Sequence, residues 1–240
     1  MSEGPRTGVV LAAGFGSRLR DASALKPLTP VAGEPLLLRT FRSLGLAGCS
    51  RVVVVLGHGA DTIRAEVEAA YDGPADLRFV VNDQYHLANG LSVLAAREAV
   101  AGGDFVLTMA DHVFGDDVMR LAAAHTPPER GATLLVDRNV AGVFDLDDAT
   151  KVLESDGHIM QIGKQIADYN CIDTGLFVCT NALMEALDLE VAQRGDASLS
   201  DGVQRLAAAG RMTVLPIGDG LWQDVDTPAM LAEAERRLAG

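Results

Sequence analysis

Apolar residues come in short unbroken runs through the first half of the chain, and each run is followed by a stretch with helical spacing. TGVVLAA (7–13), RVVVVLG (51–57), LRFVVN (77–82) and DFVLTMA (104–110) predict strands buried on both faces. Leu37, Phe41 and Leu44 mark one face of a helix over 35–47, and Ile63, Val67 and Ala70 mark another over 61–71. NGLSVLAAREAV (89–100) predicts a third. This alternation predicts a doubly wound, mostly parallel, Rossmann-like α/β sheet.

The second half is less regular. GATLLVD (131–137) predicts another strand, and CIDTGLFVCT (171–180) one more. Between them, ATKVLES and HIMQIGK flank Asp156-Gly157, a strong hairpin signal. Helices are expected near 181–189 and 198–209, with a strand at 211–217. A last helix starts at Pro228, a residue favoured in the first turn. Region 138–180 is read as an antiparallel elaboration over one edge of the sheet. No repeat or linker divides the chain, so 1–240 is read as a single domain.

Composition narrows the partners. Hydrophobic residues make up 48% of the chain, enough for a sizeable core, while the net charge of −13 disfavours nucleic acid and anionic membranes. A phosphorylated small molecule stays compatible, since a few local cations suffice to hold one. Cys49, Cys171 and Cys179 show no metal-ligand spacing, and no segment suits a signal peptide or a membrane span. The expectation is a reduced, cytoplasmic protein, with oligomerisation left open.

The first predicted strand runs into LAAGFGSRL (11–19), a glycine-containing turn of the kind that meets phosphate. A dinucleotide loop needs a third glycine where Leu19 stands, and an acidic residue after the second strand, which instead ends in LGHG. A P-loop needs Gly-Lys-Ser/Thr five residues after Gly14, and it is absent. Followed by Lys26-Pro27, the stretch resembles the signature of nucleotidyltransferases that activate phosphorylated small molecules. In such a loop, Gly14 and Gly16 let the backbone approach a triphosphate, and Arg18 and Lys26 supply cations.

Two acidic positions sit where a metal would be useful. Asp111 follows the fourth strand, at the carboxyl end where ligands of open α/β sheets bind. A helix-capping or loop aspartate is the plainer reading of that position. In LWQDVDTPAM, Asp224 and Asp226 flank Val225, and Asp226 or Thr227 is read as a cap for the last helix. DLDDAT (145–150) lacks the glycine and distal glutamate of a calcium loop and is read as a solvated acidic loop.

FVLTMADHVF, ATKVLESDGHIMQIGK, CIDTGLFV and LWQDVDT together resemble the CTP:inositol-1-phosphate cytidylyltransferases, within the sugar-phosphate nucleotidyltransferase superfamily. The resemblance spans most of the chain and implies a free-standing domain of nucleotide-diphospho-sugar transferase type. It implies an NTP-binding part over roughly 1–130 and an acceptor-binding part over roughly 131–226. It makes Lys26, Arg18 and Asp111 catalytic, and Leu11, Ala12, Ala13, Gly14, Gly16, Asn89 and Gly90 nucleotide-binding. Tyr85 and His86 stand near the base. Lys164, Asp173, Thr174 and Gly175 fall to the acceptor, and Asp111 and Asp224 to Mg²⁺, with Asp226 as a further ligand. The substrates implied are CTP and a phosphorylated polyol or alcohol. Phosphocholine, 2-aminoethylphosphonate or a sugar 1-phosphate are the alternative acceptors. A non-catalytic nucleotide sensor is the alternative of another class. His112 is not expected to act as a base, because an attacking phosphate oxygen is already anionic.

Overall fold

The computed structural model describes residues 6–19 and 24–239. Strand β1 (Arg6–Ala12) leads through the glycine turn to a small ribbon of β2 (Pro30–Val31) and β3 (Glu34–Pro35). The alternation continues with α1 (Leu36–Leu46), β4 (Cys49–Leu56), α2 (Ala60–Ala70) and β5 (Asp76–Val81). The expected helix over 89–100 is two pieces, α3 (Gly90–Ala95) and α4 (Arg97–Val100), joined at Ala96. Then come β6 (Phe105–Met109), β7 (His112–Phe114), α5 (Asp116–Ala124) and β8 (Ala132–Asp137). The second half holds β9 (Lys151–Ser155), β10 (His158–Gly163), β11 (Cys171–Cys179), α6 (Ala182–Arg194), α7 (Leu199–Ala208), β12 (Met212–Pro216), β13 (Trp222–Asp224) and α8 (Pro228–Ala239).

Nine strands form one sheet in the order β5-β4-β1-β6-β11-β8-β12-β10-β9. Pairing is parallel from β5 through β6 and between β8 and β12, while β11 runs against both its neighbours β6 and β8. Successive strand residues feed opposite faces, as period-two geometry requires. Val9, Leu11, Val53 and Phe105 pack with Val93, Leu183 and Val203 from α3, α6 and α7. Val10, Val52, Val54 and Val106 pack with Phe41, Ile63 and Met119 from α1, α2 and α5. The unbroken apolar runs are the consequence of helices on both sides.

Only part of region 138–180 lies at an edge: β9 and β10 form the expected antiparallel hairpin there, whereas β11, also expected at the edge, is inserted between β6 and β8 in the middle of the sheet. Asp156 (φ 52°) and Gly157 (φ 78°) both adopt positive φ, the conformation of a two-residue hairpin turn. The β9–β10 hairpin extends from β12, and β9 returns to pair with the start of β11. Three features escape the hydrophobic pattern, the two-residue strands β2 and β3 among them. Helix α5 is short and lies outside the predicted elements. Strands β7 and β13 have three residues each and pair with one another, Trp222 opposite Phe114 and Asp224 opposite His112.

Candidate functional site

The site begins at a reversal in strand order. From β1 the chain moves outward to β4 and β5, then returns to β6 on the other side of β1. A crevice opens at such a switch point, beyond the carboxyl ends of the strands. Leu11 pairs with Met109 at these ends, and the Leu11 carbonyl accepts the Ala110 N–H (3.0 Å). The glycine turn leaves one strand there and Asp111 leaves the other.

Gly16 shows why the turn has its sequence. Its φ is +56°, and a β-carbon there would lie 2.4 Å from Lys26 Cβ. Any side chain would push Lys26 away. At Gly14 a β-carbon would meet nothing within 4 Å, so its bareness is not a packing requirement of the fold. Lys26 opens a short 3-10 turn with Pro27 next to it, fixed by the Leu28 N–H donating to the Leu25 carbonyl (2.9 Å).

Lys26 is mostly shielded from solvent and donates to Asp111 Oδ2 (2.5 Å) and to Asp226 Oδ1. Arg18 donates to the other Asp226 oxygen (2.8 Å). Leu11, Ala12, Gly14, Gly16, Arg18, Lys26, Asp111 and Asp226 thus line one cavity of about 200 Å³. Asp226 is more central than its sequence role suggested. Thr227 takes over the cap of α8, its hydroxyl accepting the Met230 N–H (3.2 Å), which leaves the Asp226 carboxylate to the site. Asp224 is fixed by the β7–β13 pairing and by the Val225 N–H donating to the Asp111 carbonyl (2.9 Å). The ribbon is anchored from behind by the buried Trp222 indole, which donates to Asp137 Oδ2 (2.7 Å).

A second cavity of about 240 Å³ shares Asp111 and Asp226 with the first and also holds Asn89, His112, Asp145, Asp148, Lys164, Asp173, Gly175 and Asp224. Here the acidic loop proves not to be merely solvated. Asp148 accepts from Lys164 Nζ (2.7 Å) and from both Arg18 terminal nitrogens (3.1 and 3.2 Å). Thr174, expected in this pocket, is fully buried and donates to the Leu135 carbonyl (2.8 Å), so its hydroxyl serves the sheet. Gly175, at φ +75°, makes room for His112, whose ring a β-carbon would approach to 2.6 Å.

A third cavity, about 230 Å³, is lined by Leu11, Ala13, Gly14, Tyr85, Leu87, Asn89, Ser92, Met109 and Asp111. Tyr85 lines it and His86 does not. Phe15, which the sequence did not single out, packs its ring against His58 (5.2 Å) and Tyr85 (5.3 Å). Asn89 Oδ1 accepts the Leu199 N–H (2.8 Å), so it caps α7 rather than its own helix. Gly90 is also a packing residue, since a β-carbon would sit 2.4 Å from the Ala197 carbonyl. A larger groove of about 890 Å³ beside α6 and α7 contains none of the predicted site residues.

The electrostatics separate the carboxylates. Burial alone would raise Asp111, but Lys26 and a hydrogen bond from His112 (2.7 Å) overcome it and hold the carboxyl far below the usual range. Asp224 goes the other way: burial, then Asp226 and Asp111, push it up, and His112 only partly offsets them. Asp224 forms no salt bridge with any described residue. Among the described residues no three His, Cys, Asp or Glu side chains form a ready-made metal cage. A crowded carboxylate beside a second one suits a magnesium-like cation, which takes one or two carboxylates and completes its shell with phosphate oxygens and water.

Burial lifts the Asp173 carboxyl to about 6, although the Gly175 N–H donates to it (2.7 Å). A raised carboxyl stabilises the fold below its unfolded pKa and loses that contribution as pH rises through the folded value. Wild-type melting temperature should therefore carry a falling component between about pH 4 and pH 6. Asp173→Asn keeps an oxygen for Gly175 and should flatten that component. An unchanged profile in thermal melts across this range would count against a strained carboxylate.

A glycine turn, a Lys–Arg pair and clustered aspartates at the switch point of a doubly wound sheet define a nucleotidyltransferase. The chain belongs to the MobA-like NTP transferase family, whose model matches residues 8–213. It is 34% identical over 236 residues to the bifunctional IPC transferase and DIPP synthase of Thermococcus kodakarensis, covering 98% of this chain and 51% of that protein. It is 35% identical over 253 residues to the CMP-5'-(3-aminopropyl)phosphonate synthase of Streptomyces rubellomurinus, covering 98% and 39%. The chain spans about half the length of the first of these relatives and less of the second. The inositol-1-phosphate CTP transferase of T. maritima superimposes with a TM-score of 0.84 at 28% identity, covering 98% of this chain and 97% of that one. No helix among the described residues is long and apolar enough to cross a membrane.

Proposed function

We propose that this chain joins CTP and inositol 1-phosphate into CDP-inositol and pyrophosphate. The observation that carries the proposal is the meeting of two cation-bearing cavities at Asp111 and Asp226, one with Lys26 and Arg18, the other with Lys164. One suits a triphosphate and the other a phosphorylated acceptor. The likeness to the T. maritima enzyme supports the choice of base and acceptor.

An acceptor phosphate oxygen attacks the α-phosphorus in line as the bond to pyrophosphate breaks. The nucleophile is already anionic, so no side chain needs to remove a proton. Catalysis is then positioning and charge stabilisation. The glycine turn and Arg18 hold the triphosphate. Lys26 keeps its proton because the pull of Asp111 and Asp226 outweighs the cost of burying it, so it remains a cation at neutral pH. It stabilises charge that builds around the α-phosphate. Lys164 holds the acceptor phosphate, and Asp173 accepts from polyol hydroxyls. Asp111 and Asp224, with Asp226 beside them, would hold Mg²⁺, which when bound neutralises the triphosphate and the departing pyrophosphate.

Lys164→Ala should raise the acceptor KM by about tenfold, the scale of one lost charge-assisted contact, with the CTP KM little changed. A defect confined to CTP would contradict the placement of Lys164. The broader test is a pyrophosphate-release screen of four NTPs against inositol 1-phosphate, phosphocholine, 2-aminoethylphosphonate and glucose 1-phosphate. Turnover only with UTP and glucose 1-phosphate would sink the inositol reading and keep the class. No turnover with any pair would favour a nucleotide sensor.

A second acceptor reading has its own observation. Asp145 and Asp173 share a cavity with Lys164, and an ammonium-bearing phosphonate would pair with carboxylates there. The Streptomyces relative is named as a synthase of a CMP-linked aminopropylphosphonate. Preference for 2-aminoethylphosphonate over inositol 1-phosphate in the same screen would select it.

A further inference from the structure

Asp148 lies in the acidic loop between β8 and β9, far in sequence from the glycine turn. It nevertheless joins the cations of the two cavities. One carboxylate oxygen accepts from Lys164 and the other from Arg18. Of Asp145, Asp147 and Asp148, only Asp148 forms ion pairs among the described residues. The position is built rather than incidental. Lys151 is buried, and its ammonium donates to the carbonyls of Asp147 (3.3 Å) and Ala149 (3.2 Å), on either side of Asp148. The Asp148 N–H adds a contact to Asp145 Oδ1 (3.4 Å), and the Ala149 N–H donates to the Asp145 carbonyl (3.1 Å). The loop is thus held at its base while one carboxylate reaches across the cleft.

We propose that Asp148 is a placeholder for substrate phosphate, an internal anion that the acceptor phosphate must displace from Lys164 and the triphosphate from Arg18. The inference rests on Lys164 being the acceptor-phosphate contact. Its consequence is selectivity. A carboxylate and a phosphate oxygen compete for the same donors, so the acceptor phosphate must break the Asp148–Lys164 pair and the triphosphate the Asp148–Arg18 pair. An acceptor with an organic head gains further contacts in the cavity, with Asp173 and Asp145, that offset the cost. Inorganic phosphate has no such head and is turned away. That exclusion matters chemically. A phosphate oxygen held beside CTP would form a bond to the α-phosphorus as pyrophosphate leaves, converting CTP to CDP without an acceptor. The ordinary value of the Asp148 carboxyl is lowered, chiefly by Lys164 against a smaller opposing effect of burial, so it stays an anion at neutral pH.

The probe is inorganic phosphate, titrated against the full chain and read as a shift in melting temperature, which requires no turnover. Asp148→Asn keeps the size of the side chain and removes its charge. It should bind phosphate about tenfold more tightly than wild type, the scale of two part-exposed ion pairs removed from the competition. Adding Lys164→Gln should abolish that gain. A loop that had merely lost its support would lower the starting melting temperature without enlarging the phosphate-induced shift. Asp148→Ser serves as a second variant should the asparagine form fold poorly. Phosphate affinity unchanged or weaker in the folded variants overturns the proposal, and so does a gain that persists undiminished with Lys164→Gln. The NTP screen fails or succeeds independently, so a wrong acceptor identity is distinguishable from a wrong role for Asp148.

Discussion

Lys26→Ala is expected to lower turnover by roughly 10²-fold or more at saturating CTP and acceptor, the scale seen when one preorganised electrostatic group is removed. Lys26 is only 10% exposed, so little water stands ready to replace its charge. It is also the cation that Asp111 and Asp226 share. Without it two carboxylates face each other, and the group left behind is an uncompensated charge. A pH signature follows. In the wild type the Asp111 carboxyl is depressed, so its stabilisation is complete above the usual carboxylate pKa and is lost as pH falls below about 4. In Lys26→Ala the largest influence opposing burial is gone and only His112 still works against it, so that carboxyl should move up. The variant should then gain stability relative to wild type as pH is lowered from about 7 towards 5. Lys26→Arg restores charge but brings a wider, planar head to a slot already closed to a single β-carbon at Gly16, so only partial rescue is expected. Pyrophosphate release under saturating conditions measures the first effect and thermal melts the second. Near-wild-type turnover in Lys26→Ala would remove Lys26 from the mechanism.

Asp111→Ala carries the second large effect, again roughly 10²-fold or more. Asp111 lines all three cavities, binds Lys26 through one oxygen and meets His112 through the other. Its loss removes a charge from the proposed metal position and frees His112 from its partner. Asp111→Asn separates these effects, because the amide keeps the shape and a hydrogen-bonding oxygen while dropping the charge. A defect in both variants assigns the loss to charge. Turnover should be followed across a Mg²⁺ titration, with weaker apparent Mg²⁺ affinity and a lower plateau expected. Full recovery of the plateau would reduce Asp111 to a contributor to metal affinity, and near-wild-type behaviour throughout would dismiss the role.

The hydrophobic pattern carried the sheet, the helices on both faces and the edge hairpin, because apolar periodicity is set by burial and burial sets the layers. It did not carry α5 or the β7–β13 ribbon. Three-residue strands have too few alternating positions to stand out, and their pairing depends on where α8 and β6 deliver them. The glycine turn, Lys26, Asp111 and Asp224 were legible because each adjoins a strand end or a compact motif. Asp148 was not. Its neighbours are acidic and its partners are distant along the chain, so locally it looks like a solvated loop.

The order of residues alone carried the strand–helix alternation, the glycine-containing turn after the first strand, and the residue types available for phosphate and metal. Those depend on neighbours a few positions away. Which carboxylate meets which cation was decided only by tertiary structure. Thr227 capping α8 left Asp226 to Lys26, the Leu135 carbonyl took the Thr174 hydroxyl, and Lys151 aimed Asp148 at Arg18 and Lys164. Ion pairing and capping are competitions between groups far apart in the chain, and their outcome exists only once the sheet has brought the competitors together.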